Sequence, residues 1–210
     1  MTTPASTTPL AEPAIARSLN VELLALDLNT CTRCTGSRAS IDAALALVKP
    51  VLDAAGIKSR VHLRVIETEE QARQYRFVAS PTIRVNGLDI APALHESHCD
   101  SCTELCGCAG GTSCREWHYR GETHDKAPTG LIVEALMRAA FGERTTERLS
   151  AVQGDAGSEV PDNLKRFFAG TAHTAKAAAC CEPAVQETCC DPVEKASCCG
   201  IAVGQKCGCQ

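Results

Sequence analysis

Apolar positions along the chain follow helix-like and strand-like spacings as far as about Phe141 and thin out beyond it. Val21-Glu22-Leu23-Leu24-Ala25-Leu26-Asp27-Leu28 is nearly continuous in apolar character, the pattern of a central strand covered on both faces. From Ser37 to Ala55 the residues Ile41, Ala44, Leu45, Val48, Val51 and Leu52 recur at steps of three and four, which gives one helix face, and Gly56 ends it. Pro50 inside that run predicts a bend. Val61-His62-Leu63-Arg64-Val65-Ile66 alternates as a strand. Strand, helix and strand in this order predict a parallel pair with a right-handed crossover.

Thr68-Glu69-Glu70-Gln71 has the capping-box spacing, so a short helix should run to about Arg76, with Glu67, Glu69 and Glu70 as its solvated, dipole-favoured start. Ala79 to Ile90 reads as two strands joined at Asn86-Gly87, a strong hairpin signal. Residues 92–126 carry little periodicity and read as an inserted loop held by something other than a core, with Trp117 and Tyr119 covering it. A helix then follows from Thr129, its cap, with Leu131, Ile132, Ala135, Leu136, Ala139 and Ala140 on one face and Gly142 at its end. The expected organisation is a flexible leader over 1–18, one α/β domain over 19–142 with its insertion at 92–126, a linker over 143–179 and a tail over 180–210. Within the linker a short helix near 161–169, around Asn163 to Phe168, should dock as one or two turns.

Charge and composition remove some functions. A net charge of −4 and 3% aromatic residues offer neither the basic surface nor the stacking platforms of a nucleic-acid binder. No apolar run approaches the roughly 18 residues of a membrane span. The opening residues lack a secretory n-region and apolar core, so a soluble cytoplasmic protein is expected. In that compartment thiols stay reduced, and spaced cysteines point to redox catalysis or metal binding more than to structural disulfides.

The chain has 15 cysteines, in three groups. Cys31-Thr32-Arg33-Cys34 lies at a strand-to-helix turn, where free helix N–H groups, the dipole and Arg33 favour a thiolate. Cys31 is then the attacking thiol and Cys34 the resolving one, or the pair ligates a soft metal. In the insertion, Cys99, Cys102, Cys106 and Cys114 have spacings that close a tetrahedral zinc site, with Cys108 as the surplus cysteine and His95, His98 and His118 as spare candidates; disulfides formed on oxidation are the alternative. In the tail, Cys180-Cys181, Cys189-Cys190 and Cys198-Cys199 repeat with a period of nine that Cys207 and Cys209 continue. Adjacent cysteines rarely bridge each other, because disulfides prefer Cα atoms about 5.5–6 Å apart and neighbours sit at about 3.8 Å. Paired soft thiolates suit Cu(I), zinc, mercuric ion or trivalent arsenic. A flexible 30-residue segment spans about 30 Å, enough to reach the Cys31 face of a small domain.

The order of elements, together with Cys31/Cys34 and Ser80-Pro81-Thr82, resembles a thioredoxin-like domain over about Leu19 to Gly142. The resemblance implies a mixed central sheet between helix layers and a cis Pro81 packed beside Cys31 and Cys34 at the reactive site. The chain is also similar to an uncharacterised bacterial thioredoxin-like family with a cysteine-rich insertion, often found near arsenic or mercury resistance functions; the run Cys114 to Gly121 carries that likeness. Thr30 replaces the usual tryptophan and Thr32-Arg33 the usual Gly-Pro, so reductase partnership and redox potential are not carried over.

Three functions follow. The first is thiol-based binding, transfer or detoxification of soft metal or metalloid ions, with Cys31/Cys34 working beside the tail. The second is thiol-disulfide exchange with a thiol reductant or a protein disulfide as partner. The third is a zinc-stabilised interaction module. None requires an organic cofactor, nucleic acid or a membrane.

Overall fold

The computed structural model describes residues 18–142 and 159–178, the last six of these as backbone only. The chain's longest apolar strand pattern becomes β1 (Ser18–Ala25), flanked on one side by β2 (Lys58–Val65) in parallel and on the other by β3 (Thr82–Val85) antiparallel. β4 (Leu88–Asp89) completes a mixed sheet of order β2-β1-β3-β4. Asn86 and Gly87 form the tight β3–β4 turn with φ of 52° and 81°, the left-handed region that Asn and Gly tolerate.

Alternation along β1 feeds two separate cores. Leu19, Val21 and Leu23 face α1 (Thr32–Ala54) and α4 (Thr129–Phe141), where they meet Ile41, Ala44, Val48, Leu52, Ile132 and Leu136. Leu24 and Leu26 join the opposite cluster with Ile66, Phe77 and Ala72 of α2 (Glu69–Gln74). Thr68 caps α2 as its spacing predicts, its hydroxyl accepting from the Gln71 N–H at 3.2 Å, while the Gln71 side chain accepts from the Glu67 N–H at 2.8 Å. Pro50 lies within α1, and α1 starts at Thr32, five residues before the apolar pattern becomes visible.

The insertion is folded, which corrects the expectation of a loop without a core. β5 (His95–His98), β6 (Ser113–Tyr119) and β7 (Glu122–His124) form an antiparallel sheet of order β5-β6-β7, and α3 (Asp100–Cys106) lies between β5 and β6. Trp117 is fully buried in the α1/α4 core, so β6 stitches the insertion to the domain. Buried Arg115 adds an ion pair to Asp89 at 2.9 Å. Tyr119 faces α4, where its hydroxyl donates to Glu134 at 2.7 Å. Thr129 is the first residue of α4, and Pro128 holds the cap position expected of it.

The linker helix is longer than its sequence signal: α5 runs Asp162–Ala178. Val160, Leu164, Phe167 and Phe168 bury themselves in the second cluster beside α3 and α2. Asn163 fixes the docking. Its side-chain oxygen accepts from the Ser113 N–H at 2.9 Å, and its amide donates to the Ser113 carbonyl at 2.8 Å and to Glu96 at 3.0 Å. The approach is close enough to need Gly170, since a Cβ there would meet the Cys106 carbonyl oxygen and lie 2.9 Å from Cys108 Sγ. Among the described residues no helix is long and apolar enough to cross a membrane. The leader before Ser18 and the cysteine-pair tail lie outside the described residues.

Candidate thiolate metal site

The site begins where β1 ends. Asp27 turns its carboxylate back under the following residues, and one oxygen accepts from the N–H groups of Asn29 at 3.1 Å, Thr30 at 2.6 Å and Cys31 at 2.6 Å and from the Thr30 hydroxyl at 3.0 Å. This is the side-chain turn chemistry of aspartate. It fixes Cys31 in the cap position of α1, with no capping hydrogen bond from its own side chain. Burial works to raise the Asp27 pKa, but the hydrogen bonds from Cys31, Thr30 and Asn29 outweigh it and leave it lowered.

Across from this turn the insertion supplies three further sulfurs. Cys99 caps α3, with its N–H on the Thr112 carbonyl at 2.9 Å; Cys102 lies in the first turn of α3; Cys114 sits on β6 opposite Ser97. The Sγ atoms of Cys31, Cys99, Cys102 and Cys114 all lie within 4.8 Å of one another, and all four residues are buried. Cys31 and Cys102 are 3.5 Å apart, and Cys102 and Cys114 3.3 Å. A tetrahedral zinc–thiolate site places its sulfurs about 3.8 Å apart, given metal–sulfur bonds of about 2.3 Å. The four sulfurs therefore suit a metal ion and are compatible with zinc, and an all-thiolate donor set favours soft or borderline metals.

The sulfurs that cluster differ from the four read from spacing. Cys31 takes the place expected for Cys106, which instead forms a disulfide with Cys108 around the left-handed Gly107 at the end of α3. Cys106 stands four residues beyond Cys102, one turn further along α3, and the chain reverses there. The histidines do not join the cluster. His95 and His118 stack on each other with ring centroids 3.9 Å apart, and His98 pairs with Asp100 at 3.1 Å. Sequence signals for the four-sulfur group existed: Cys99-x-x-Cys102 is a second CxxC at a helix start, and Asp27 stands four residues before Cys31.

Cys34 stands apart from the four-sulfur group. It is fully buried, and its sulfur lies 3.3 Å from the Ser80 hydroxyl. The Ser80-Pro81 peptide is cis, as expected for this position. Ser80 also accepts the Leu26 N–H at 3.0 Å through its hydroxyl and the Arg115 N–H at 2.6 Å through its carbonyl, so it joins β1, the proline turn and β6. Arg33 does not point its charge at the thiols. Its guanidinium donates to the carbonyls of Cys114 at 3.1 Å and His98 at 2.8 Å and to the Ser97 hydroxyl at 2.9 Å, which ties α1 to the insertion.

The sulfurs share their protons unequally. Hydrogen bonds from Cys102, Cys114, Cys34 and Cys99 hold the Cys31 thiol far below its ordinary pKa despite burial. Those from Cys102 and Cys114 bring Cys99 down to about 7. Cys34 is pushed up by its hydrogen bond to Cys31, by burial and by the Cys31 charge. For Cys102 the hydrogen bond from Cys114 lowers the pKa, but contacts with Cys31 and Cys99 together with burial prevail and raise it. Cys114 is raised by its hydrogen bonds to Cys102, Cys31 and Cys99 and by burial. A cation placed among the four would replace this mutual repulsion of thiolates with attraction.

The eight tail cysteines expected to bind soft metal, Cys180, Cys181, Cys189, Cys190, Cys198, Cys199, Cys207 and Cys209, lie outside the described residues. No curated protein and no solved structure matches the chain. A family model described as a domain of unknown function, DUF2703, matches residues 19–136, which takes in β1 through most of α4 and all four clustered cysteines. The chain belongs to that family.

Proposed function

We propose that this protein handles a soft metal or metalloid ion by thiolate ligation, holding it at Cys31, Cys99, Cys102 and Cys114 on a thioredoxin-like frame. The observation that carries the reading is the burial of four sulfurs within 4.8 Å of one another, contributed by two chain segments far apart in sequence. Buried thiols so arranged leave polar hydrogen-bonding capacity without water, and a metal ion satisfies all four at once. The frame is read as thioredoxin-like from its order β1, α1, β2, α2, then the β3–β4 hairpin and α4, and from the cis Pro81 whose neighbour Ser80 touches Cys34. The cysteine-pair tail supplies additional capacity, and the biological setting is a cytoplasmic response to arsenic or mercury.

The test is titration of the fully reduced protein with zinc, mercuric ion, Cu(I) and arsenite, followed by thiolate-to-metal charge-transfer absorption and native mass spectrometry. The domain cluster gives one tightly held metal with four thiolates. Removal of residues 180–210 leaves that metal in place and lowers the total bound; a truncated protein with unchanged total capacity excludes the tail from cargo binding. Failure of the Cys31/Cys99/Cys102/Cys114 site to hold any of the four ions would sink the reading.

One observation favours a second activity. Cys31 and Cys34 sit at the head of α1 beside a cis-proline turn, with Cys31 strongly favouring the thiolate. That arrangement suits thiol-disulfide exchange. Turnover of a model disulfide that Cys31→Ser abolishes and Cys34→Ser traps as a mixed disulfide is the expected signature.

A further inference from the structure

We infer that the Cys31 sulfur serves two mutually exclusive bonds, one to the bound metal and one to Cys34, so that oxidation of the Cys31–Cys34 pair expels the metal from the site. This rests on the metal-site reading above.

The placement of Cys34 carries it. Cys31 belongs to the four-sulfur group and Cys34 does not, yet the two are three residues apart at the start of a helix. Residues at that spacing are neighbours on the helix surface, with Cβ atoms about 5–6 Å apart, within small adjustment of the distance a disulfide needs. The two thiols interact with each other as well as with their other partners. Cys34 is fully buried, and besides Cys31 its sulfur meets the Ser80 hydroxyl at 3.3 Å and the backbone of Asp27. A fifth thiol held beside one ligand of a four-thiolate site, and outside that site, is a built-in competitor for that ligand.

The oxidant is a low-molecular-weight disulfide such as glutathione disulfide, GSSG. The Cys31 thiolate attacks one sulfur of GSSG; the S–S bond breaks and one glutathione thiolate leaves. The Cys34 thiol loses its proton to that thiolate and attacks the Cys31 sulfur, releasing the second glutathione as thiolate. The balance is one thiolate, one thiol and one GSSG in, and one protein disulfide, one glutathione thiol and one glutathione thiolate out. A sulfur in a disulfide has lost the anionic charge that made it a ligand. Cys99, Cys102 and Cys114 then offer three thiolates in place of four, too few to retain a metal ion at free concentrations from which the intact site fills.

Because one sulfur cannot make both bonds, metal and oxidation oppose each other reciprocally. The experiment equilibrates the full-length protein in glutathione buffers of graded GSSG to squared-GSH ratio, with and without free zinc held at about 10 times the dissociation constant of the reduced protein. After acid quenching and alkylation, the fraction bridged between Cys31 and Cys34 is read by peptide mass spectrometry. With zinc present the midpoint ratio rises about 10-fold, because the three-thiolate site, about 100-fold weaker, stays nearly empty at this zinc level; for a two-electron couple that is about 30 mV. Native mass spectra of the same samples show zinc lost in step with formation of this bridge. Cys34→Ser keeps the four ligands and holds its zinc at ratios where the wild type has released it.

A midpoint that zinc does not move, with zinc bound by the reduced protein, overturns the switch and leaves the metal site standing. Zinc lost at the same ratio by Cys34→Ser, or lost alongside bridges among Cys99, Cys102 and Cys114 only, also overturns it. Reduced protein that binds no zinc removes the metal-site reading and this inference together.

Discussion

Cys31 Sγ lies 3.5 Å from Cys102 Sγ, a contact between residues 71 positions apart that joins the head of α1 to the first turn of α3. The insertion brings three sulfurs to the group, with Cys106 and Cys108 bridged to each other, and the fourth comes from the head of α1, so the four-sulfur group exists only when the insertion is docked. Structural zinc sites bind with about 10–16 kcal/mol, so the loss of one of four ligands should cost about 3 kcal/mol, roughly a 100-fold weaker affinity. Cys31→Ser is expected to show that loss in a competition titration against a chromophoric chelator. Cys106→Ser, which changes only the disulfide partner of Cys108, is expected to keep both stoichiometry and affinity.

Metal binding should release protons in a number set by the unequal thiols. Cys31 and Cys99 are both lowered, Cys99 to about 7, whereas Cys102 and Cys114 are raised. At about pH 8 the first two are thiolates already and the last two are not. Zinc should therefore displace about two protons, and a third as pH falls below about 7 and Cys99 becomes protonated in the free protein. Calorimetry in buffers of different ionisation enthalpy counts them. A release near four at pH 8 would show that the free cluster is fully protonated.

The frame was legible because its periodicities are long and its punctuation is strong. β1, α1, β2, the Thr68 cap, the Asn86-Gly87 hairpin and α4 all stand close to where their apolar spacing and turn residues place them. The insertion was not legible for a physical reason: its buried positions are cysteines, a tryptophan and an ion-paired arginine. Cys102 and Cys106 are the buried face of α3, and Cys114, Arg115 and Trp117 are the buried positions of β6. When cysteines are counted as ligands, that face disappears from the hydrophobic pattern. The site was half legible. Spacing found Cys99, Cys102 and Cys114, but the fourth sulfur came from the CxxC turn, and only the tertiary docking of β6 brings Cys31 to it. The sequence signal for α5 is short because the residues after Phe168 are small or polar and carry no apolar spacing.

Asp27→Asn should destabilise the protein in a pH-dependent way. The Asp27 carboxylate is lowered from its ordinary value of 3.8 because the charged form accepts the turn's N–H groups. A lowered folded-state pKa means the stabilisation is fully present above the ordinary value and is lost as pH falls through the folded-state one. An amide oxygen keeps part of the hydrogen bonding without the charge, so the expected cost near neutral pH is about 1–2 kcal/mol. Urea unfolding of the reduced, metal-free proteins should show that gap at neutral pH and its narrowing in acid below the ordinary value. A gap that is constant with pH would mean the charge contributes nothing to the turn.

Helix α5 should govern access to the buried thiols. Leu164 is fully buried against the cluster that contains the cysteines, and Asn163 spans β6 through both backbone groups of Ser113. Leu164→Ala should cost about 2–5 kcal/mol of local docking energy by leaving a cavity. Asn163→Ala should cost about 1–3 kcal/mol, because the Ser113 N–H is left without its acceptor. The remaining domain has its own core between the sheet, α1 and α4, so these losses should fall on the docking of α5 before global unfolding. Pulsed alkylation of the reduced, metal-free protein reads this directly. In the wild type Cys31, Cys102 and Cys114 react slowly, and in either variant their rates rise by the Boltzmann factor of the lost docking energy, about tenfold for each 1.4 kcal/mol, until opening is no longer limiting. Bound zinc should restore protection in both variants, because ligation holds the sulfurs whether or not the helix covers them. Unchanged alkylation rates in Leu164→Ala would mean that the insertion alone shields the site.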